Sequence, residues 1–215
     1  VVLQAAEAET GVLAEKLGCY ADARQILRVR GSGLLYGFAG DITYGDTLWD
    51  FDGQEIFKRA VAGMGESSVE ALRRAGKSPA DIDLVVPHQA NLRIIEFIAK
   101  RAGIGMDRVF LTVHKYGNMS AATVPVALVE ALESGRVHPG DLLLTPAFGG
   151  GLTFCSHVIR WGERVTPLGE SDVALPPCDR SALDIVRDHM QRRDPRGRSR
   201  AGLAAPVFAD AAPIA

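Results

Sequence analysis

The chain has 215 residues, a formal charge of −2, a pI near 6.2 and 47% hydrophobic side chains, values ordinary for a globular protein with material for at least one core. So balanced a charge excludes a chain built overall to bind nucleic acid, and no apolar run reaches the roughly eighteen residues needed to cross a membrane. Three scattered cysteines, Cys19, Cys155 and Cys178, suggest neither a metal cluster nor a disulfide framework, so a reducing, cytoplasmic setting is expected.

In chain order, Val1 to Ala6, Val12 to Leu17 and Gln25 to Val29 read as short extended pieces, separated by turn chemistry at Gly11, Gly18 and Asp22. The sequence opens inside an apolar strand with no initiator Met and no charged-then-apolar leader, as a chain cut from a longer one would. Residues 31–50 hold Gly31, Gly33, Gly37, Gly40 and Gly45 among scattered aromatics and predict a loop. From Asp52 to Arg74 the apolar positions Ile56, Phe57, Ala60, Val61, Met64, Val69 and Leu72 recur at helical steps, with Gly76 as a stop.

Ile82 to Val86 then reads as a buried strand. Asn91 to Ala102 reads as a helix that buries Leu92, Ile95, Ile98 and Ala99 and ends at Gly103. Val109 to Val113 predicts a strand, Ala121 to Glu133 a helix that tolerates Pro125 in its first turns, and Leu142 to Thr145 a strand that pairs with Thr153 to Ile159. Helices alternating with strands imply an α/β arrangement, a mixed sheet covered by helices. Past Glu163 the prolines lose all period, Ser181 to Met190 could form one short helix, and the basic RRDPRGRSR and alanine-proline tail predict disorder after about residue 192.

Three stretches carry candidate chemistry. VVPHQANLRII at 85–95 places His88 at the C-terminal end of a strand, where open α/β sheets hold their ligands. KYGNMSAATVP at 115–125 offers Asn118, an amide that donates without titrating, although a Gly-Asn pair alone is as readily a turn. PAFGGGLTF at 146–154 sets Gly149, Gly150 and Gly151 between two apolar segments. Without phosphate-loop spacing, these glycines read as bare backbone that lets a reacting carbonyl come close. A histidine, an amide and a bare backbone, each at the end of a regular element, can converge on one small polar group, as in a thioester-handling site.

PHQANLRI at 87–94, GNMSAA at 117–122 and AFGGGLT at 147–153, preceded by FDGQEIFKRAV at 51–61, resemble the C-terminal half of a β-ketoacyl-acyl carrier protein synthase III, a condensing enzyme of the thiolase fold. The likeness runs from about Phe51 to Arg160. It implies a thiolase-like half-fold in which 1–50 is the end of the N-terminal half with a connecting region at the mouth of an acyl tunnel, 51–162 is the catalytic domain, and 163–215 is an irregular extension outside the family pattern.

The implied activity is decarboxylative Claisen condensation of an acyl thioester with malonyl-acyl carrier protein in fatty acid biosynthesis. By the resemblance, His88 and Asn118 donate to the malonyl thioester carbonyl and the Gly150 amide is one of two oxyanion donors. Asn91 helps orient His88, and Phe148 sits beside the nucleophilic cysteine. Lys58, Arg93, Lys100 and Arg101 form a basic surface for the acidic carrier protein. Plainer roles stand beside these: a helix N-cap for Asn91, a core aromatic for Phe148, a solvated helix face for the basic residues, and a strand-end surface group for His114.

Coenzyme A and carrier-protein thioesters are the implied substrates, with no metal or organic cofactor and a homodimeric complete enzyme. The nucleophilic cysteine would lie in the preceding half, since none of Cys19, Cys155 and Cys178 stands where the family needs it, so this chain alone is expected to be inactive. A related synthase of secondary metabolism, or a non-catalytic half-domain that binds a carrier protein or another partner, are the alternatives.

Overall fold

The computed structural model describes residues 5, 9–29, 49–166, 178–181, 183–185 and 187. All of the first predicted strand but Ala5, residues 31–48 of the predicted loop and nearly all of the C-terminal extension lie outside the described residues. Contacts group Val1–Arg28 with Phe51–Leu168 in one compact unit and Val29–Asp50 with Gly169–Ala215 in another. Residues 11–19, placed by the sequence with the segment that ends at residue 50, pair with residues 153–160 in one sheet.

That strand, β1 (Gly11–Cys19), is followed by the three-residue strands β2 (Leu27–Val29) and β3 (Trp49–Phe51), so Trp49 and Asp50 are extended rather than loop. Helix α1 (Gly53–Arg74) begins at an Asp52 N-cap, whose Oδ1 accepts from the Glu55 amide at 3.1 Å. It ends with Arg73 and Arg74 on Glu70, a favourable arrangement for the C-terminal end of a helix dipole. Val69, expected in the buried stripe, is 56% exposed, while Ile56, Ala60, Met64 and Leu72 are buried as predicted.

Strand β4 is only Leu84–Val85, shorter than predicted. Helix α2 (Leu92–Ala102) starts at an Asn91 cap and ends at Gly103, whose φ of 70° is the left-handed value that glycine adopts at low cost. Its buried stripe is Ile94, Ile95, Ile98, Ala99 and Ala102; Leu92, in the first turn, lies beyond that stripe and is exposed.

The strand predicted over Val109 to Val113 does not form. Val109 makes one isolated parallel bridge to Val85, and Val113–Tyr116 is instead a four-residue helix, α3. The reason is chemical: from Phe110 onward a glutamine side chain takes the backbone groups that a neighbouring strand would have used. Helix α4 (Thr123–Glu133) follows, then β5 (Leu142–Leu144), β6 (Ala147–Gly149) and β7 (Thr153–Arg160).

The sheet runs β1-β7-β5-β4, with β4 parallel to β5 and the other pairs antiparallel. β5 and β6 meet β7 in one continuous register, Leu144 opposite Val158 and Ala147 opposite Cys155. The break between them falls at Pro146, which has no N–H to give the ladder.

Alternation along the strands sends side chains to two helical layers. Val85, Leu142, Leu144 and Val158 pack with Leu72, Ile95 and Ala99 of α1 and α2. Leu84, Val86 and Leu143 pack with Ala127 and Ala131 of α4. A third cluster joins Ile56, Ala60, Met64, Ile94 and Ile98 to Phe148 and Leu152 at the glycine-rich turn. The unit is therefore α/β, a mixed sheet between helices.

Candidate active site

His88 lies just past β4, and its backbone amide donates to the Pro146 carbonyl at 2.8 Å. The residue that interrupts the hairpin ladder thus turns its own carbonyl to the histidine loop, tying PHQAN to PAFGGG. The imidazole Nδ1 stands 2.5 Å from Thr123 Oγ1 at the start of α4, and that hydroxyl lies 3.0 Å from the Ser120 carbonyl. The Ser120 amide in turn donates to Asn118 Oδ1 at 2.8 Å. The Ser120 backbone thereby links the hydroxyl that holds His88 to the side chain of Asn118.

With Oδ1 engaged, the Asn118 amide keeps its NH2 end as the donor. The turn reading is what the contact shows, and it leaves the NH2 end of the amide outside that bond. The preceding Gly117 has a φ of 65°, which suits the bend into the turn. α3 is anchored by Lys115, whose Nζ is 2.7 Å from Glu130 Oε1, and by the Tyr116 hydroxyl, which donates to the same carboxylate. Lys115 and Tyr116 hold the Glu130 carboxyl below its ordinary range, so the clamp stays charged at neutral pH.

Gln89, which sequence reasoning passed over inside its motif, is the hub of the site's scaffold. It is fully buried, and its Nε2 donates to the carbonyls of Pro87 and Phe110, both at 3.0 Å. Its Oε1 accepts from the amides of Thr112 and Val113 at 2.9 and 3.0 Å. Thr123 was missed as well. The only signal for either was position: one follows the histidine directly, and the other opens the helix after the asparagine.

The remaining candidates fall as follows. Gly150 is exposed in the turn after β6, and a Cβ built on it would meet nothing within 4 Å, so packing in this chain does not demand glycine there. Gly151 differs, with a φ of 132° and Thr153 Cγ2 only 2.9 Å from a built Cβ. Phe148 is a buried core residue of β6. Asn91 caps α2, its Oδ1 accepting from the Arg93 amide at 2.9 Å.

Lys58, Arg93, Lys100 and Arg101 are all exposed on α1 and α2. Lys58 also pairs with Glu55, and the stem of Arg101 lies across Gly65, where a Cβ would be 2.8 Å from its Cδ. His114 is exposed on α3, a helix rather than the end of a strand.

Cys19 and Cys178 are exposed, Cys19 with its Sγ 3.9 Å from the Gly151 carbonyl. Burial pushes the Cys155 thiol up, away from the thiolate a nucleophile needs. Among the described residues, no group of three His, Cys, Asp or Glu is placed to hold a metal ion, and no helix is long and apolar enough to cross a membrane.

Burial lowers the pKa of His88 from its ordinary 6.5, and no charged side chain contributes to that shift. The imidazole is therefore neutral at pH 7. The linkage follows in sign: below about 6.5 the unfolded chain takes up a proton that the folded site refuses, so stability is fully present above that pH and declines as pH falls toward the depressed value. Urea unfolding at about pH 7.5 and 5.5 should show a larger loss for the wild type than for His88→Gln. Equal losses would mean that His88 is not desolvated.

Residues 72–161 match the family model described as 3-Oxoacyl-[acyl-carrier-protein (ACP)] synthase III C terminal. The β-ketoacyl-[acyl-carrier-protein] synthase III 2 of Vibrio cholerae is 50% identical over 186 residues, covering 86% of this chain and 51% of the relative. The chain belongs to the β-ketoacyl-acyl carrier protein synthase III family. The synthase III of Roseiflexus sp. (strain RS-1) is 48% identical across 75% of the chain and 49% of its own length. The crystal structure of the synthase III from Thermus thermophilus superposes with a TM-score of 0.65 at 37% identity, covering 74% of this chain and 48% of that one. The chain thus spans about half the length of the curated synthase III relatives it matches, and its half-fold is thiolase-like.

Proposed function

We propose that this chain supplies the malonyl-handling part of a decarboxylative condensing enzyme that joins an acyl thioester to malonyl-acyl carrier protein in fatty acid biosynthesis. The observation that carries the reading is the set of contacts that links His88 through Thr123 and the Ser120 backbone to Asn118, with the His88 backbone tied to Pro146 at the glycine turn. These contacts support the reading of two neutral donors and an open backbone turn serving one substrate.

In this reading His88 and Asn118 donate to the thioester carbonyl of the malonyl group. The bond from its α-carbon to the carboxylate breaks, carbon dioxide leaves, and the electron pair moves into the carbonyl as an enolate that the two donors stabilise. The enolate carbon then attacks an acyl-cysteine held by the rest of the protein. Negative charge collects on the acyl oxygen beside the Gly150 amide, and the cysteine departs as thiolate.

The chemistry asks for no metal or organic cofactor, and a cytoplasmic homodimer is the assembly that goes with it. Lys58, Arg93, Lys100 and Arg101, exposed on two neighbouring helices, are the surface assigned to the acidic carrier protein, with Asn91 and Phe148 as supports around the site.

The test is malonyl thioester decarboxylation by the full-length protein. His88→Ala is expected to lower the rate about a hundredfold or more, the usual cost of removing one preorganised donor. Unchanged turnover would overturn the assignment.

A further inference from the structure

Histidines that act through Nε2 are commonly held at Nδ1 by a carboxylate or a backbone carbonyl, which can only accept and so locks the proton on Nδ1. Here the partner is a hydroxyl. Thr123 is 1% exposed, and its Oγ1 sits between two partners, His88 Nδ1 at 2.5 Å and the Ser120 carbonyl at 3.0 Å. A hydroxyl carries one hydrogen and two lone pairs. Turned to Ser120, it accepts from Nδ1–H and leaves Nε2 bare. Turned to the imidazole, it donates to Nδ1, and Nε2 carries the proton. Both arrangements pair Nδ1, the Ser120 carbonyl keeps the Thr123 backbone N–H as a donor in either one, and neither requires a charge.

We propose that Thr123 is a positioning residue that holds the His88 ring while leaving both neutral tautomers open, so that the same Nε2 serves as donor in one step and acceptor in another. The proposal rests on the reading of His88 given above. Its value lies in the chemistry: an enolate oxygen needs an N–H, whereas a thiol about to attack a thioester needs an acceptor for its proton. Rotation of one buried hydroxyl converts the first into the second as the proton shifts between the ring nitrogens by way of ligand or solvent. The Pro146 carbonyl anchors the backbone and does not hold the ring, which leaves that task to Thr123.

The experiment is 15N NMR of the histidine rings in the full-length protein at about pH 8, where His88 is neutral, combined with the rate at which the cysteine is acylated by an acyl thioester. The wild type and Thr123→Ser are expected to show His88 nitrogens averaged between bare and protonated positions. In Thr123→Val the buried Nδ1 loses its partner and should be fixed bare, with the proton on Nε2. Cysteine acylation, the step that needs bare Nε2, should fall roughly tenfold to a hundredfold in Thr123→Val and be restored by Thr123→Ser.

A single fixed tautomer in the wild type would overturn the proposal without any variant, as would Thr123→Val that keeps averaged shifts and full rate. If the shifts behave as expected but His88→Ala retains activity, the functional assignment fails while the tautomer reading stands.

Discussion

Replacing Gln89 by Met is expected to cost the fold on the order of 3–5 kcal/mol, a large share of the roughly 5–15 kcal/mol that holds a typical domain together. Methionine fills the same volume but abandons two carbonyls and two amides, all served by the one buried amide. Gln89→Glu should be no better: as a carboxylate it turns oxygen toward the Pro87 and Phe110 carbonyls and buries a charge, and as an acid it offers one donor where two are needed. Thr112→Val is the control. Among the described residues its buried hydroxyl has no hydrogen-bond partner, so removing it should cost less than about 1 kcal/mol. Urea unfolding of the full-length protein measures all three, and a Gln89→Met loss below about 1 kcal/mol would show that the hub is not formed.

The second large effect is expected at Gly63→Val. Glycine in mid-helix usually costs up to about 1 kcal/mol relative to alanine, so substitution there would ordinarily help. Here the Phe154 ring fills the place of the side chain, with its Cδ1 and Cγ 2.8 Å from a built Cβ. The ring cannot easily withdraw. Gly18 of β1 lies against its far edge just as tightly, and Tyr20 stacks beside it with centroids 4.9 Å apart. Overpacking therefore outweighs propensity, and a loss of about 3 kcal/mol is expected, with a smaller one for Gly63→Ala. Combining Gly63→Val with Phe154→Leu should recover much of it. Additive losses would show that the ring is not the obstacle.

Much of this was legible in the sequence, and the failures share a cause. α1, α2, α4 and the terminal hairpin follow from periodicity and capping residues, which are local signals. The Val109 to Val113 segment has a strand's composition, yet the Phe110 carbonyl and the Thr112 and Val113 amides bond to a side chain more than twenty residues earlier, and no local pattern contains that fact. The pairing of β1 was invisible for the same reason, because its partner β7 is far along the chain. At the site, His88, Asn118 and the glycine turn were visible as residue types suited to the chemistry. Gln89 and Thr123 were not, since their importance lies in which atoms they meet.

The sheet order has a consequence for biosynthesis. β7 is the last strand of this sheet to leave the ribosome, yet it lies between β1 and β5 and pairs with both. Until residue 160 has emerged, β1 lacks the only sheet neighbour it has among the described residues, and the helices made meanwhile have only part of a surface to cover. Chain closure of this range is slow and leaves apolar strands exposed while it waits. Assembly of this unit is therefore completed from its centre outward, by the arrival of one late strand, and a nascent chain halted shortly before Thr153 would hold its helices without the seam that joins its two ends.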